Sequence, residues 1–306
     1  MTSRSESRGG TTSRLSSYLE ERRAQVEVAL QRYFPEPDAW GKQLHDASAW
    51  ALFGGGKRLR PVIALAAFEA VSAESPVPYS AVLPAACAVE LVHTYSLVHD
   101  DLPCMDDDDE RRGRPTVHVQ FEEALALLAG DALLTEAFAL CANLDAYEGA
   151  APPERVLQAS QMLARAAGRN GMVGGQSIDL GFETSVDDEA SLTFLHLRKT
   201  GELFRFSAAV GALLGGASDE TVRAMGDYGE ALGLAFQISD DLLDAAEDEE
   251  VRGLADTPSY PGMLGEPLAR QRCHELLARC DDLLKDYGDE AAPLRHLAWY
   301  AVHRDH

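Results

Sequence analysis

Leu97-Val98-His99-Asp100-Asp101-Leu102-Pro103-Cys104-Met105-Asp106-Asp107-Asp108-Asp109-Glu110-Arg111-Arg112-Gly113-Arg114 carries the densest charge in the chain, directly after an apolar run. Six aspartates and a glutamate fall within eleven residues, and arginines follow at once. Carboxylates crowded in this way repel one another, and their pKa values rise unless a cation offsets the charge. An oxygen-rich cluster suits a hard divalent ion. Mg2+ in particular takes one or two carboxylates and shares its other positions with substrate phosphates. Arg111 and Arg112 add planar guanidinium groups that hold phosphate oxygens through several donors. Alone, the block reads equally well as a solvated acidic loop.

A second cluster changes that balance: Phe236-Gln237-Ile238-Ser239-Asp240-Asp241-Leu242-Leu243-Asp244. On a helix, Asp240 and Asp244 lie four apart and project from one face. Like charges at that spacing destabilise an isolated helix. The segment around them is otherwise apolar, so compensation comes from outside it, and a metal ion is the economical source. A solvated helix end is the alternative for this motif by itself. Two such clusters, each closing an apolar helix, favour a paired metal–diphosphate site.

The segments leading into and away from these clusters read as helices. Apolar residues recur at helical spacing over residues 15–34, which end before Pro35 and Pro37. Further helices are predicted over 39–52, 62–71, 79–99, 121–144, 154–167, 189–214, 220–246 and 263–303. Residues 79–99 are apolar enough to be largely buried, and Pro84 is tolerated near the first turn. No alternating strand pattern of useful length and no short repeat is present. The fold class is therefore all-α, as one domain over residues 15–306. Residues 1–14, rich in Ser, Thr, Arg and Gly, read as a disordered tail without the apolar core of a signal peptide.

Composition narrows the function classes. A chain of 306 residues with 46% hydrophobic content can build a sizeable core. The formal net charge of -23 argues against nucleic acid as a partner, because phosphate backbones would be repelled. Lysine occurs only at positions 42, 57, 199 and 285, so arginine supplies most of the positive charge. Both a salt-rich cytoplasm and a GC-rich genome account for that bias. The five cysteines show no close CxxC pairing, which fits reduced thiols in a cytoplasmic protein. Glu122, Glu123, Asp131 and Glu136 interrupt the longest apolar region, so no membrane span is expected.

Cations recur away from the aspartate clusters. Phe53-Gly54-Gly55-Gly56-Lys57-Arg58-Leu59-Arg60-Pro61 brings three of them to a helix start, where glycine lets backbone amides approach an anion. It is not a P-loop, since the GxxxxGK[ST] spacing is absent, and a basic surface loop is the plain alternative. His93 reads as a hydrogen-bonded core histidine or as a ligand contact. Gln176 and Asp179 lie three apart on one helical face and serve either the interior or a ligand. Lys199 sits near an expected helix interruption at Leu197-Arg198-Lys199-Thr200-Gly201, as a surface lysine or a site residue.

Together these motifs resemble the trans-isoprenyl diphosphate synthase family, particularly its bacterial short-chain farnesyl and geranylgeranyl diphosphate synthases. The markers are GGGKRLRP, LVHTYSLVHDDLPCMDDDDERRGRPTVH, AGDALL, GGQSIDL, RKTGELF and FQISDDLLD, in the family's order. The resemblance implies helices around a deep central cavity, usually in a homodimer. It implies that Asp100, Asp101 and Asp106 form the first metal motif and Asp240, Asp241 and Asp244 the second. Three Mg2+ ions would bridge these to an allylic diphosphate. By the same resemblance Arg111 binds that diphosphate, Lys57, Arg60, His93 and Arg112 hold isopentenyl diphosphate, and Lys199, Thr200 and Gln237 line the allylic site. His93 and Lys199 thereby become expected site residues.

Product length turns on Tyr95 and its neighbour Ser96. Tyr95 lies five residues before Asp100, about one and a half helical turns deeper. A large ring there resembles the floor of farnesyl-producing members, whereas core packing is the plain reading. The implied activity is Mg2+-dependent head-to-tail condensation of isopentenyl diphosphate with dimethylallyl or geranyl diphosphate, giving farnesyl diphosphate. Geranylgeranyl diphosphate synthesis is the nearest alternative. A class I terpene cyclase is disfavoured by the second aspartate motif and the Lys57/Arg60 pair. One departure supports a non-catalytic partner subunit: residues 245–261 are shorter than the family loop and hold no lysine, with Arg252 their only cation and Ser259-Tyr260-Pro261 at the close.

Overall fold

The computed structural model describes residues 5–37, 40–73, 75–183, 185–251 and 258–304, with backbone only for 5–15 and 247–251. The helices are α1 (Ser5–Tyr33), α2 (Lys42–Leu52), α3 (Leu59–Ser72) and α4 (Leu83–Asp100). A two-stranded ribbon, β1 (Glu110–Arg111) and β2 (Arg114–Pro115), is followed by α5 (Val117–Phe121), α6 (Glu123–Ala142), α7 (Pro153–Ala167) and α8 (Met172–Asp179). Then come α9 (Glu189–His196), α10 (Glu202–Leu214), α11 (Asp219–Val251), α12 (Tyr260–Leu264), α13 (Glu266–Leu283) and α14 (Ala292–His303). The all-α expectation holds. Backbone from Ser5 onward is helical where composition predicts a tail; residues 1–4 lie outside the described residues.

Helix α4 is apolar on nearly every face, as a buried helix must be. Val89, Leu91, Val92 and Val98 are all sealed from solvent, and Pro84 sits in the first turn, where no intrahelical N–H is lost. Helix α10 is likewise buried along its length and packs between α3 and α11. Its close approach to α3 depends on Gly211, because a Cβ there would stand 2.1 Å from the Ala64 carbonyl oxygen. At about 1.5 Å per residue, the 33 residues of α11 span about 50 Å. That length brings the second aspartate motif to the core beside α10, and Tyr228 Oη bonds the Leu294 carbonyl of α14 at 2.8 Å.

Helix α6 reaches, by length and composition alone, the apolarity of a bilayer-crossing helix. Its buried face of Ala126, Ala129, Leu133 and Ala137 packs against α4. Leu127 and Leu128 point outward and are about half exposed.

Candidate active site

The first aspartate motif begins where α4 ends. The Asp106 amide donates to the Asp100 carbonyl at 2.8 Å, and the Met105 amide to the Leu102 carbonyl at 2.8 Å, so the chain turns back and returns Asp106 to Asp100. After it, Arg112 and Gly113 form a two-residue loop with φ of 55° and 74°. Positive φ at both central residues is the type I′ hairpin geometry, and Gly113 adopts it without a Cβ clash. Arg111 and Arg112 leave this ribbon toward different partners. Arg111 Nε donates to Asp101 Oδ1 at 2.7 Å. Arg112 Nη1 reaches the Gly55 carbonyl at 2.6 Å, close against Gly56.

A cavity of about 560 Å³ lies beside this turn. From α4 it is bordered by His93, Tyr95, Ser96 and Asp100, and from the ribbon by Arg111 and Arg112. Arg60 on α3, Lys199 and Thr200, and Gln237 and Asp240 on α11 complete the walls supplied by the expected site residues. Lys57, Asp101, Asp106, Asp241 and Asp244 do not line it. Lys57 is exposed, with its ammonium 5.7 Å from the Tyr300 ring, and Asp244 is exposed on α11.

The cations of the glycine loop divide. Arg58 turns inward with φ of 51° and bonds the carboxylates of Glu27 and Glu90, each at 2.8 Å, so it braces the loop and does not border the cavity. Arg60 faces the cavity, stacked 4.9 Å from the Phe204 ring, and its buried Nε meets no acceptor among the described residues. Burial holds its pKa down at about 10, against the pull of Glu90 and Asp240. His93 is kept neutral, well below the usual histidine range, by burial and then by Arg60, Arg112, Arg111 and Arg58. This is a cationic pocket short of an anion.

Opposite in sign, Asp100 is pushed up to about 6 by burial, with Asp106 and Asp101 adding to the effect and Lys199 and Arg111 opposing it. Asp106 is raised chiefly by burial, as is Asp240. The Asp240 carboxylate is paired with Arg304, whose guanidinium also stacks 3.8 Å from the Phe236 ring. Asp241 turns the other way. Its Oδ2 accepts from the Tyr260 amide at 3.0 Å and contacts His196 Nε2 at 3.2 Å, and its Oδ1 accepts from Gln237 Nε2 at 3.1 Å. Thr200 Oγ1 in turn donates to Gln237 Oε1 at 2.8 Å.

Thr200 and Lys199 lie on a single π-helical turn, Leu197–Gly201, between α9 and α10. Such wide turns are rare and concentrate at functional sites. This one replaces the expected interruption: the helix continues with one turn expanded. Helix α8 presses against it through Gly175, where a Cβ would lie 2.3 Å from the Lys199 amide nitrogen. Asp179 on α8 accepts the Lys199 ammonium. Gln176 borders the cavity, and neither end of its carboxamide has a hydrogen-bond partner among the described residues.

Among the described residues, no three carboxylate, imidazole or thiol groups form a ready-made metal cage. The donor set still fits a hard cation that takes part of its shell from phosphates. Asp100 and Asp106 are hard oxygen donors brought together by one turn, and Asp240 borders the same cavity as Asp100. In each, burial disfavours the charge, which a divalent ion would offset. Asp101 and Asp241 are already committed to Arg111, and to Gln237, His196 and Tyr260. Arg304, His196 and Glu90 carry no spacing signal in the sequence: Arg304 reaches Asp240 from the end of the chain, and His196 and Glu90, though three residues before Lys199 and His93, are marked only by their tertiary partners Asp241 and Arg58. Arg252 lies outside the described residues.

One aspartate of each motif, Asp100 and Asp240, borders a single cavity together with Arg60, Arg111, Arg112 and Lys199, and comparison with known proteins identifies the family. Residues 42–255 match the family model described as Polyprenyl synthetase. A farnesyl diphosphate synthase of Geobacillus stearothermophilus is 38% identical over 299 residues, covering 95% of this chain and 98% of that protein. The large subunit 1 of a heterodimeric geranylgeranyl pyrophosphate synthase of Arabidopsis thaliana is 40% identical over 301 residues, covering 94% and 79%. The crystal structure of an FPP/GFPP synthase from Zymomonas mobilis superposes with a TM-score of 0.84 at 37% identity, covering 94% and 99%. The chain belongs to the polyprenyl synthetase family, as a short-chain trans-isoprenyl diphosphate synthase. It is a prenyltransferase that elongates prenyl chains.

Proposed function

We propose that the protein condenses isopentenyl diphosphate head-to-tail with dimethylallyl or geranyl diphosphate, in the presence of Mg2+, and releases farnesyl diphosphate. The observation that carries this reading is the anion-poor pocket of Arg60, His93 and Arg112 beside the raised carboxylates of Asp100 and Asp240 on one cavity. Two diphosphates satisfy both halves: one against the arginines, the other bridged to the aspartates.

Arg60, Arg112, His93 and Lys57 hold isopentenyl diphosphate in this reading, and Arg111 and Lys199 hold the allylic diphosphate. Asp100, Asp106, Asp240 and Asp244 would hold Mg2+, which neutralises charge on the diphosphate leaving group when bound. Asp101 supports them by orienting Arg111, and Asp241 by orienting Gln237. As the allylic C–O bond breaks, its electron pair goes to the diphosphate, where Lys199 and Arg111 face the developing negative charge. The oxygens of Thr200 and Gln237 face the allylic cation, and the apolar part of the cavity excludes water that would trap it. The isopentenyl double bond attacks, and a proton then passes to the departed diphosphate.

Tyr95, 5% exposed and bordering the cavity, forms the floor that stops growth at fifteen carbons in this proposal, with Ser96 beside it. Ser96 Oγ is tied to the His93 carbonyl at 2.9 Å. The outward Leu127 and Leu128 of α6 suit a homodimer contact, which light scattering of the purified protein tests. Its thiols fit a cytoplasmic setting. The deciding experiment is incubation with Mg2+, isopentenyl diphosphate and geranyl diphosphate, with products read by mass spectrometry. Farnesyl diphosphate is the expected product. A twenty-carbon product would move the reading to geranylgeranyl diphosphate synthesis, and failure with every allylic primer would point to a non-catalytic subunit.

A further inference from the structure

Arg111 and Arg112 stand on the shortest element that borders the cavity, a ribbon of two residues per strand that pairs Glu110 with Pro115 and Arg111 with Arg114. Two strands of that length are marginal by themselves. A second cavity, of about 50 Å³, lies between this ribbon, the end of α2 and α4, with Glu90, His93 and Thr94 on the α4 wall. Strand pairing and core packing therefore leave the ribbon's position open, and side chains must fix it. Trp50, in the last turn of α2, does so from the β2 side. Its Nε1 donates to the Pro115 carbonyl at 3.0 Å, and the Arg114 guanidinium stacks 3.8 Å from its ring. Phe121 meets the indole edge-on at 5.8 Å, which fixes the tilt of the ring. Both gripped residues lie on the strand opposite Arg111, and neither lines the larger cavity.

We propose that Trp50 is a positioning residue for both diphosphates: its indole clamps β2 and, through the strand pairing, holds Arg111 and Arg112 at the cavity. The identity of the two anions rests on the condensation proposed above. The ribbon's other anchors, Asp101 on Arg111 and the Gly55 carbonyl on Arg112, occupy the same guanidinium groups that would turn to phosphate oxygens. The Trp50 clamp takes none of those donors, so it holds alike with the site empty and with it filled. Guanidinium recognises phosphate through donors of fixed direction, so a ribbon free to shift weakens both sites together.

The test uses Trp50→Leu, which removes the donor and the ring, and Trp50→Phe, which removes the donor but keeps a ring for Arg114 and Phe121. Steady-state rates with geranyl and isopentenyl diphosphates, binding of inorganic diphosphate with Mg2+ by calorimetry, and thermal melting are measured on each and on wild type. In Trp50→Leu, KM for both substrates and the dissociation constant for inorganic diphosphate are expected to rise together, about three- to tenfold, with a smaller change in kcat. Trp50→Phe is expected to recover part of that loss, leaving all three constants about twofold above wild type. Should Trp50→Leu not fold, the parallel rise in Trp50→Phe carries the test, and its absence overturns the clamp. A folded Trp50→Leu protein with a lowered melting temperature but wild-type KM values overturns it too, since the indole would then be structural only. A rise confined to one substrate also overturns it, because the ribbon carries both arginines. An inactive wild type speaks against the condensation, while calorimetry with inorganic diphosphate still reads the clamp, so the two failures are distinguishable.

Discussion

Arg111 closes on Asp101 through two donors, Nε at 2.7 Å and Nη2 at 2.6 Å from the same carboxylate oxygen. Asp101 is buried and Arg111 is one-third exposed, so the pair anchors the guanidinium at one end and leaves it facing the cavity. Asp101→Asn keeps an oxygen at the site and removes the charge that orients Arg111. A charge-assisted hydrogen bond contributes about 1.5–3 kcal/mol, and partial exposure places this one at the lower end. The variant is expected to fold, with KM for the allylic diphosphate raised about tenfold, equivalent to about 1.4 kcal/mol. Steady-state kinetics with geranyl diphosphate varied check this, and an unchanged KM would remove Asp101 from the orienting role.

Neighbouring aspartates in the second motif should separate in the same way. Asp240 borders the cavity, whereas Asp241 accepts from Gln237 and the Tyr260 amide. Asp240→Asn is expected to raise the Mg2+ concentration for half-maximal activity about tenfold or more, as loss of a ligand does. Asp241→Asn is expected to leave that requirement near wild type, lower kcat through Gln237, and cost about 1–3 kcal/mol of stability at the Tyr260 and His196 contacts. Mg2+ titrations and denaturant melts of both variants decide the point. Equal Mg2+ shifts in the two would make Asp241 a ligand after all.

Much of this division was available from helical geometry. Residues four apart share a face, which groups Asp240 with Asp244 and, by the same rule, Gln237 with Asp241. The hydrogen bond between Gln237 and Asp241 follows that second pairing. In the glycine loop Arg60 borders the cavity while Arg58 turns inward, and the spacing of the loop does not separate the two, because the partners of Arg58, Glu27 and Glu90, lie in other helices. The π-turn at Leu197–Gly201 has no spacing signal that separates it from an α-helix, so only tertiary packing against α8 and α11 reveals it. Arg304 is the extreme case: nothing near it in sequence points to Asp240, sixty-four residues earlier.

His93 gives a pH signature. Burial and four arginines hold it neutral in the folded protein, with its pKa well below the usual value. In the unfolded chain it titrates near pH 6.5. Below that pH the unfolded state takes up a proton that the folded state refuses, so this group's contribution to stability is lost as pH falls through about 6.5. His93→Gln, which has no proton to take, is expected to flatten the loss of stability between about pH 7.5 and pH 5. Melts of the two proteins at both pH values, without substrate, read the difference. An identical pH slope in wild type and variant would show that His93 titrates normally.

Tyr95 offers the sharpest test of product length. Its ring is 5% exposed, stands edge-on to His99 at 5.7 Å, and borders the cavity five residues before Asp100. If the ring is the floor, its size and not its hydroxyl sets the limit, and two substitutions separate these. Tyr95→Phe keeps the ring and is expected to retain the fifteen-carbon product. Tyr95→Ala opens the floor and is expected to shift most product to twenty carbons. Removing a buried aromatic side chain costs about 3–5 kcal/mol when the space stays sealed. Here the vacated space joins a cavity that already exists, so the lower end of that range is expected. Mass spectrometry of the products from geranyl diphosphate, with a melt to confirm folding, gives both readouts. A folded Tyr95→Ala protein that still stops at fifteen carbons would place the floor elsewhere on the cavity wall.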